Sequence, residues 1–264
     1  MIIIGEKING TIKSVANAIR EKDKAFIQNL AVKQTEAGAH YIDVCAGTEV
    51  DIEIETLKWL IECVQEAVDT PICIDSPNPE AIKAVIPLVK KPGMINSVSE
   101  EGNKPDQVYP LVRDYGFNVI CLTVDDRGIP TTVEPRLEVT RSLVKKASDY
   151  GIPQNKLYID PLVSAVSTDN TSVLCFLQTM RQIKQEFPEV KITSGLSNVS
   201  FGMPLRKLVN RYFFCLALYE GMDSAIMDPL DKDLQSALLA TQVLLGQDRL
   251  CRKFSNAYRK GLIG

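Results

Sequence analysis

The chain has 264 residues, of which 45% are hydrophobic and 24% are charged, and its formal net charge is −3. This length suits one large domain, and the near-neutral charge disfavours a nucleic-acid partner, which needs clustered basic residues. The seven cysteines are scattered, as is typical of reduced thiols and not of a disulfide framework. No apolar run approaches the ~20 residues that span a bilayer, and the first residues do not resemble a secretion signal. We therefore expect a cytoplasmic protein that does not bind membranes.

Apolar strands alternate with amphipathic helices along the whole chain. Strands are predicted at residues 2–5, 40–44, 71–76, 93–97, 117–124, 157–160, 191–195 and 223–228. A first helical segment extends to about residue 37, a second has its apolar stripe at residues 54–64, and the others are predicted at 79–90, 105–115, 135–150, 170–187, from 204 onward and at 234–245. Such strands are typical of a parallel sheet that is covered by helices.

Eight strand–helix units favour a closed barrel over an open sheet. The polar residues that end successive strands recur at a spacing close to the ~30 residues of one strand–helix–strand unit. We therefore predict an α/β fold, a single (β/α)8 TIM barrel that forms one domain over residues 1–264. Residues from about 247 to 264 are predicted to form a tail that packs on the barrel with its basic side in solvent, although a docking surface is the alternative.

The segment KITSGLSNVSFG, residues 191–202, joins the seventh strand to its helix through a small polar turn. Pro204 is predicted to open that helix. Its apolar positions follow one helical face, at Leu205, Leu208, Val209, Tyr212, Phe213, Leu216 and Ala217. Turns at the carboxyl ends of barrel strands are where such folds bind ligands. The alternative is a plain connection in which Asn198 caps the helix.

The strand ends predict a ring of polar side chains at one face of the barrel. Its members carry carboxyl, amide or hydroxyl groups: Glu6, Asp43, Asp75, Asn96, Thr123, Asp160, Ser197 and Asp228. The single histidine, His40, begins a strand and is expected at the opposite, structural face, so a histidine general base is disfavoured. The sequence has no metal-ligand spacing of Cys or His, so we expect no bound metal, and it has no glycine-rich nucleotide motif.

Two acids of this ring follow apolar residues directly, Asp75 in ICIDS and Asp160 in LYIDP. A carboxylate in such surroundings needs hydrogen-bond donors to offset the loss of water. Together with Asn96, these acids predict a flat heteroaromatic ligand with several N–H groups, such as the 2-amino-4-oxopyrimidine edge of a pterin. Each acid alone could instead cap a helix or brace a loop.

The motifs in their order resemble those of the methyltetrahydrofolate:corrinoid methyltransferases, pterin-binding barrels that include the folate domain of cobalamin-dependent methionine synthase. Dihydropteroate synthases are more distant relatives. The resemblance covers nearly the whole chain and is carried by IIGEKING (3–10), DS (75–76), MINS (94–97), YIDPL (158–162), GLSNVS (195–200) and GMD (221–223). One departure is Cys45, near which the relatives carry an asparagine.

The resemblance implies a reaction and a set of residues. The substrate would be tetrahydrofolate or 5-methyltetrahydrofolate, and the corrinoid, such as cobalamin, would be carried by a partner protein. Asn198 would be the catalytic residue that stabilises N5. The pterin ligands would be Asp75, Asn96, Asp160, Gly195, Ser197 and Asn198, with Glu6, Asn9, Asp43, Thr123 and Asp228 as further pocket residues.

The resemblance also implies a homodimer. Two alternatives remain open at this point. One is an enzyme similar to dihydropteroate synthase, although the loop after the seventh strand, residues 200–203, has no lysine for a diphosphate. The other is a folate-binding module without catalytic activity.

Overall fold

The computed structural model describes residues 1–264 and contains one eight-stranded parallel sheet. Its strands are Ile2–Asn9 (β1), Tyr41–Cys45 (β2), Ile72–Asp75 (β3), Met94–Glu100 (β4), Asn118–Asp125 (β5), Leu157–Asp160 (β6), Lys191–Ile192 (β7) and Ser224–Met227 (β8). Each strand pairs with its neighbour in sequence from β1 to β7, and β8 pairs with β1. Strand pairing therefore continues around the whole barrel except between β7 and β8.

β7 and β8 do not form a regular ladder, but backbone hydrogen bonds connect them. The amide of Asp223 donates to the carbonyl of Ile192 at 3.1 Å, and the amide of Ile226 donates to the carbonyl of Ser194 at 2.9 Å. Gly195 forms a single parallel bridge with Ile226. The predicted TIM barrel is confirmed, although β7 ends at Ile192 and not at residue 195 because the chain turns towards the mouth there.

Ten helices surround the sheet. They are Lys13–Glu21 (α1), Lys24–Glu36 (α2), Val50–Ala67 (α3), Pro79–Val85 (α4), Lys104–Tyr115 (α5), Val133–Asp149 (α6), Ser172–Glu186 (α7), Arg206–Tyr219 (α8), Lys232–Leu244 (α9) and Arg252–Arg259 (α10). The predicted first helical segment is two helices, because Lys22 adopts a left-handed conformation (φ 54°) and Asp23 then caps α2 through the amide of Phe26.

The barrel interior explains which strand residues reach the mouth. Five buried side chains form a cluster inside the barrel: Ile4, Cys73, Met94, Ile120 and Tyr158. Side chains of a strand alternate between its two faces, so a residue two positions further along points the same way. Asp75, Asn96 and Asp160 each follow a member of this cluster by two positions. Alternation therefore directs all three side chains into the barrel, one layer above its apolar filling.

Helix α8 differs from its prediction. It begins at Arg206 and not at Pro204, since Leu205 adopts a left-handed conformation (φ 53°). The predicted single apolar face is divided between two environments. Phe213 and Ala217 are buried with their neighbours Phe214 and Leu218, and Val209 is half-buried. The other members of the stripe are exposed, at Leu205, Leu208, Tyr212 and Leu216. The helix thus presents an apolar surface to solvent beside the one that packs on the barrel.

The C-terminal residues fold back on α9. Asp248 accepts hydrogen bonds from the amides of Lys253 and Phe254 and so caps α10. Ala257 and Ile263 are buried, and Lys232 of α9 donates to the carbonyl of Gly261 at 3.3 Å. None of the ten helices combines the length and the apolar character that crossing a membrane would require.

Candidate active site

The ends of β2, β3 and β4 bring two acids and an amide together. The strand register places Asp75 beside both Cys45 and Asn96. The amide Nδ2 of Asn96 donates to Oδ1 of Asp43 at 3.4 Å, and only 2% of Asp43 is exposed. Three of the predicted residues, Asp43, Asp75 and Asn96, therefore form one cluster in the mouth.

This cluster holds carboxyl groups close together without a basic partner. Burial and the neighbouring charge of Asp75 raise the pKa of Asp43 well above its usual value. Burial raises the pKa of Asp75 to about 6, and the charge of Glu53, on α3, also raises this pKa. Hydrogen bonds from the thiol of Cys45 and from Asp43 lower it. Two adjacent carboxyl groups cannot both ionise cheaply. The raised pKa of Asp43 and its hydrogen bond to Asp75, which lowers the pKa of Asp75, both favour a proton on Asp43.

Asp160, at the end of β6, is held by backbone donors. Its Oδ1 accepts from the amide of Leu162 at 2.8 Å, and its Oδ2 accepts from the amide of Gly195 at 3.4 Å. Only 4% of the residue is exposed, and burial raises its pKa to about 6, while the two amides and the charge of Arg136 lower it. The structure thus connects Asp160 directly to the turn after β7.

That turn is a short 3-10 helix, Leu196–Ser200, and it carries Asn198. A Cβ atom on Gly195 would lie 3.1 Å from Nδ2 of Asn198, so the Asn198 amide covers the glycine whose N–H binds Asp160. Asn198 itself is exposed. Asp160, Gly195 and Asn198 therefore share one wall of the mouth, with the amide at its open side.

Arg206, the first residue of α8, ties this turn together. Its guanidinium donates to the carbonyl of Ser197 at 2.9 Å and to the hydroxyl of Ser200 at 3.2 Å. Ser197 therefore contributes its backbone carbonyl to the site, and this carbonyl anchors the turn. Sequence patterns did not indicate this role for Arg206, because the contact crosses a break in helical structure at Leu205.

The first and last strands add a mixed group of charges. Nζ of Lys7 lies 3.0 Å from Oδ2 of Asp228. Burial and the charge of Asp228 raise the pKa of Glu6 to about 7, while Lys7 and Arg206 lower it. The charge of Asp228 therefore acts on Glu6, a carboxyl group whose raised pKa lies near neutral pH.

The structure does not bring Thr123 and Asn9 into this arrangement. Leu122 packs against the interior cluster, so alternation along β5 turns the buried hydroxyl of Thr123 towards the helices. Oδ1 of Asn9 accepts from the amide and the hydroxyl of Thr11 and so braces the loop after β1. His40 lies at the amino end of β2, where its Nδ1 accepts from the amide of Ile3.

The mouth is therefore lined by acceptors on both sides of β5 and has one exposed amide. Asp75 and Asn96 lie on β3 and β4, on one side of this strand, and Asp160 ends β6 on the other. A flat ring between them would offer its N–H groups to the carboxylates and leave its far edge beside Asn198. No group of three Cys, His, Asp or Glu side chains is arranged to hold a metal ion.

Comparisons with known proteins agree with this geometry. The model of the pterin binding enzyme family matches residues 5–228. The chain is 54% identical over 266 residues to a methylcorrinoid:tetrahydrofolate methyltransferase of Eubacterium limosum, and the match covers 100% of this chain and 98% of the relative. It is 27% identical over 240 residues to the methionine synthase of Mycobacterium tuberculosis, covering 86% of this chain and 20% of that protein.

Solved structures show the same fold. A dihydropteroate synthase of Clostridium difficile, crystallised in the presence of pteroic acid, superimposes with a TM-score of 0.72 at 16% identity and covers 92% of this chain and 96% of its own. The dihydropteroate synthase of Coxiella burnetii in complex with pteroic acid superimposes with a TM-score of 0.65 at 16% identity, covering 92% of this chain and 93% of that one. At this identity the likeness concerns the fold alone.

Proposed function

The chain belongs to the pterin binding enzyme family, and on this premise we propose that it is a methyltransferase that moves a methyl group between a corrinoid and N5 of tetrahydrofolate. The observation that carries the proposal is the wall formed by Asp160, Gly195 and Asn198, which places an exposed amide next to a buried carboxylate. The relative from Eubacterium limosum, matched over its whole length, supports the same assignment.

The pterin ring would bind between the two acidic sides of the mouth. Asp160 would accept N–H groups of the pyrimidine edge with a carboxylate that its two backbone donors already orient. On the other side Asn96 presents an amide and Asp75 a carboxyl group next to the proton held by Asp43. Hydrogen bonds between charged and neutral groups contribute about 1.5–3 kcal/mol each, enough for these residues to orient the ring.

Methyl transfer would take place at the open side of the ring. With a methylcorrinoid as the donor, the N5 lone pair forms the new N–CH3 bond, the Co–C bond breaks with both electrons left on cobalt, and the N5 proton leaves to solvent. The reverse reaction needs that proton back on N5 before the bond breaks. Asn198 cannot supply a net proton, but its amide can accept from or donate to N5, and it would stabilise the charge that develops there.

The corrinoid would be carried by a partner protein that docks at the mouth. Asn198 is exposed, so a bulky cofactor could approach N5 from the side of this amide. We place this chemistry in the cytoplasm, because all seven cysteines are free in the structure and reduced thiols persist there.

We also propose a homodimer in which the exposed apolar surface of α8 packs against a second copy of the chain. Eight apolar side chains of the segment after β6, of α7, of the turn after β7 and of α8 line a groove of about 330 Å³: Val166, Val173, Val199, Leu208, Val209, Tyr212, Phe213 and Leu216. Exposed patches of this kind usually mark interfaces. Tyr212→Glu should give a monomer by analytical ultracentrifugation. Leu244→Glu, at an exposed leucine of α9, is the control and should remain a dimer. If both variants kept the mass of the wild-type protein, this interface would be contradicted.

The enzyme assignment is tested with methylcob(III)alamin and tetrahydrofolate. The wild-type protein should convert them to cob(I)alamin and 5-methyltetrahydrofolate, followed by the absorbance of the corrinoid under anaerobic conditions. Binding of tetrahydrofolate without methyl transfer would instead favour a folate-binding module. Formation of dihydropteroate from a pterin diphosphate and p-aminobenzoate would favour the dihydropteroate synthase alternative, which the engagement of Arg206 with Ser197 and Ser200 disfavours.

A further inference from the structure

Glu53 is a buried carboxyl group in the first turn of α3, on the helix side of the sheet. Only 7% of the residue is exposed. Its hydrogen-bond partners are neutral: the hydroxyl of Ser76 donates to Oε1 at 2.6 Å, and Nδ2 of Asn78 donates to Oε2 at 3.5 Å. Burying a carboxyl group among neutral partners is costly, so the position of Glu53 needs an explanation.

Stabilisation of the helix does not explain this arrangement. An acid in the first turn of a helix is favourable because free backbone N–H groups lie there. Asp51 belongs to the same turn and can serve this purpose while it is exposed to solvent. Glu55, two residues beyond Glu53, is exposed as well and pairs with Lys58 at 2.6 Å. Glu53 differs from both acids because it is buried and its partners belong to the segment after β3.

The contacts of Glu53 fix the chain directly after Asp75. The ladder between β3 and β4 ends at the pair of Asp75 and Asn96. Ser76 continues it by one hydrogen bond, in which its amide donates to the carbonyl of Asn96 at 2.9 Å. The Ser76 hydroxyl also accepts from the amide of Asn78 at 3.1 Å, and only 1% of Ser76 is exposed. Glu53 therefore holds Ser76 from the helix side, while alternation directs Asp75 into the barrel.

We propose that Glu53 is a positioning residue that orients Asp75 and Asn96 for the pterin ring by anchoring Ser76. This inference rests on the proposed function, in which these two residues bind the ring. Glu53 acts through Ser76 and does not touch the ligand. Without Glu53, the Ser76 hydroxyl would be left with the more distant carbonyl of Asn78, at 3.4 Å, as its acceptor. Binding would then have to order the ends of β3 and β4, at a cost in affinity.

The binding test compares two Glu53 variants with a control on the same helix. Glu53→Ala should weaken tetrahydrofolate binding by ~10-fold in titration calorimetry, because two side chains lose their pre-organisation. Its turnover at saturating tetrahydrofolate should stay near the wild-type value, since the turn after β7 is unchanged. Glu53→Gln keeps an acceptor for Ser76 but removes the charge that acts on Asp75, and it should restore most of the affinity. Glu55→Ala, at an exposed acid, is the control and should bind as the wild type does.

Ser76→Ala removes the same contact from the other side. It should weaken binding as Glu53→Ala does, and the double variant should lose little more than either single variant, because the two residues act as one unit. Losses that add in the double variant would overturn the proposal. Wild-type affinity in a folded Glu53→Ala variant, or an equal loss in Glu53→Gln, would also overturn it. If Glu53→Ala does not fold, unchanged affinity in Ser76→Ala would exclude the proposed action through Ser76.

Amide hydrogen exchange tests the anchoring without a ligand. In the full-length chain, the amide proton of Ser76 should exchange ~10-fold faster in Glu53→Ala, because its hydrogen bond to Asn96 then opens more often. Glu55→Ala should leave this rate unchanged. If the wild type bound no tetrahydrofolate, the proposed function would fail, and the exchange rate would still decide whether Glu53 anchors Ser76. An unchanged rate in a folded Glu53→Ala variant would overturn the proposal in either case.

Discussion

Burial raises the pKa of an acid on each side of the mouth, and the two acids differ in the groups that surround them. Asp75 and Asp160 both end a strand, both are largely removed from water, and the pKa of each is raised to about 6. Asp75 stands among Asp43, Glu53 and a thiol, whereas Asp160 accepts hydrogen bonds from two backbone amides. The first side therefore retains a proton, and the second presents a carboxylate. Similar acids at equivalent strand ends are thus given different tasks by their neighbours.

Asn198→Ala should have the largest effect, because it removes the one amide beside N5. We expect a loss of turnover on the order of a hundredfold, the ~3 kcal/mol typical of one pre-organised group, with little change in the Kd of tetrahydrofolate. Rapid-reaction measurement of cob(I)alamin formation at saturating folate gives the turnover. Asn96→Ala is the matched control on the other side and should weaken binding while turnover at saturation changes little. Equal losses of binding and turnover in Asn198→Ala would contradict its catalytic role.

Asp160→Asn should weaken tetrahydrofolate binding by ~10–100-fold near pH 7.5, since a charged acceptor contributes about 1.5–3 kcal/mol. In the wild type, affinity should fall as the pH drops through about 6, because the Asp160 carboxylate then gains a proton and loses its acceptor role. Titration calorimetry from pH 5 to 8 measures both effects.

Asp75→Asn sharpens the comparison between the two sides. Because the Asp43–Asp75 pair already holds a proton, this variant should lose less affinity than Asp160→Asn. A larger loss of tetrahydrofolate affinity in Asp75→Asn than in Asp160→Asn at every pH would contradict the inferred difference between the two sides.

Gly195→Ala should lower turnover by roughly tenfold. Its φ of −75° is open to alanine, but the new Cβ would lie 3.1 Å from Nδ2 of Asn198 and would displace that amide. Folate affinity should persist, because the backbone N–H that binds Asp160 is kept. In an Asn198→Ala background the same change should have almost no further effect on turnover, and a full tenfold loss there would show that it acts elsewhere.

Asp43→Asn should have the smallest effect, on stability. A carboxyl group whose pKa is raised in the folded state destabilises the fold as the pH rises above its unfolded value of 3.8. The amide should therefore increase the free energy of unfolding by roughly 1 kcal/mol at pH 8, with no gain well below pH 3.8, where Asp43 is protonated in both states. Urea unfolding at pH 8 and at this low pH measures the difference, and a gain of equal size at the low pH would rule out the electrostatic cause.

The prediction of the site rested on the polar residues at the strand ends. Asp43, Asp75, Asn96 and Asp160 lie at strand ends and share the face of the interior residues, and the structure brings all four to the mouth. Thr123 also lies near a strand end, but its position next to Leu122 turns it to the helix side. A position near the end of a strand predicts which end of the barrel a side chain reaches, whereas alternation from the buried interior residues decides which face it lies on.

Other contacts had no signal in the sequence. The thiol of Cys45 reaches Asp75 because β2 and β3 pair in that register. Arg206 anchors the turn that carries Asn198, and the exposed half of the α8 stripe depends on which ridge of the helix meets the barrel. Each of these depends on the relative placement of elements that are separate in sequence.

The sequence by itself determined the alternation of strands and helices, the closed barrel and the polar residues at the strand ends, because local periodicity and spacing encode them. The tertiary structure alone decided the surroundings of each acid. Burial and the register of neighbouring strands place a second acid beside Asp75 and two backbone amides on Asp160. Electrostatic energies depend on distances between groups that are far apart in the chain, and no local pattern records those distances.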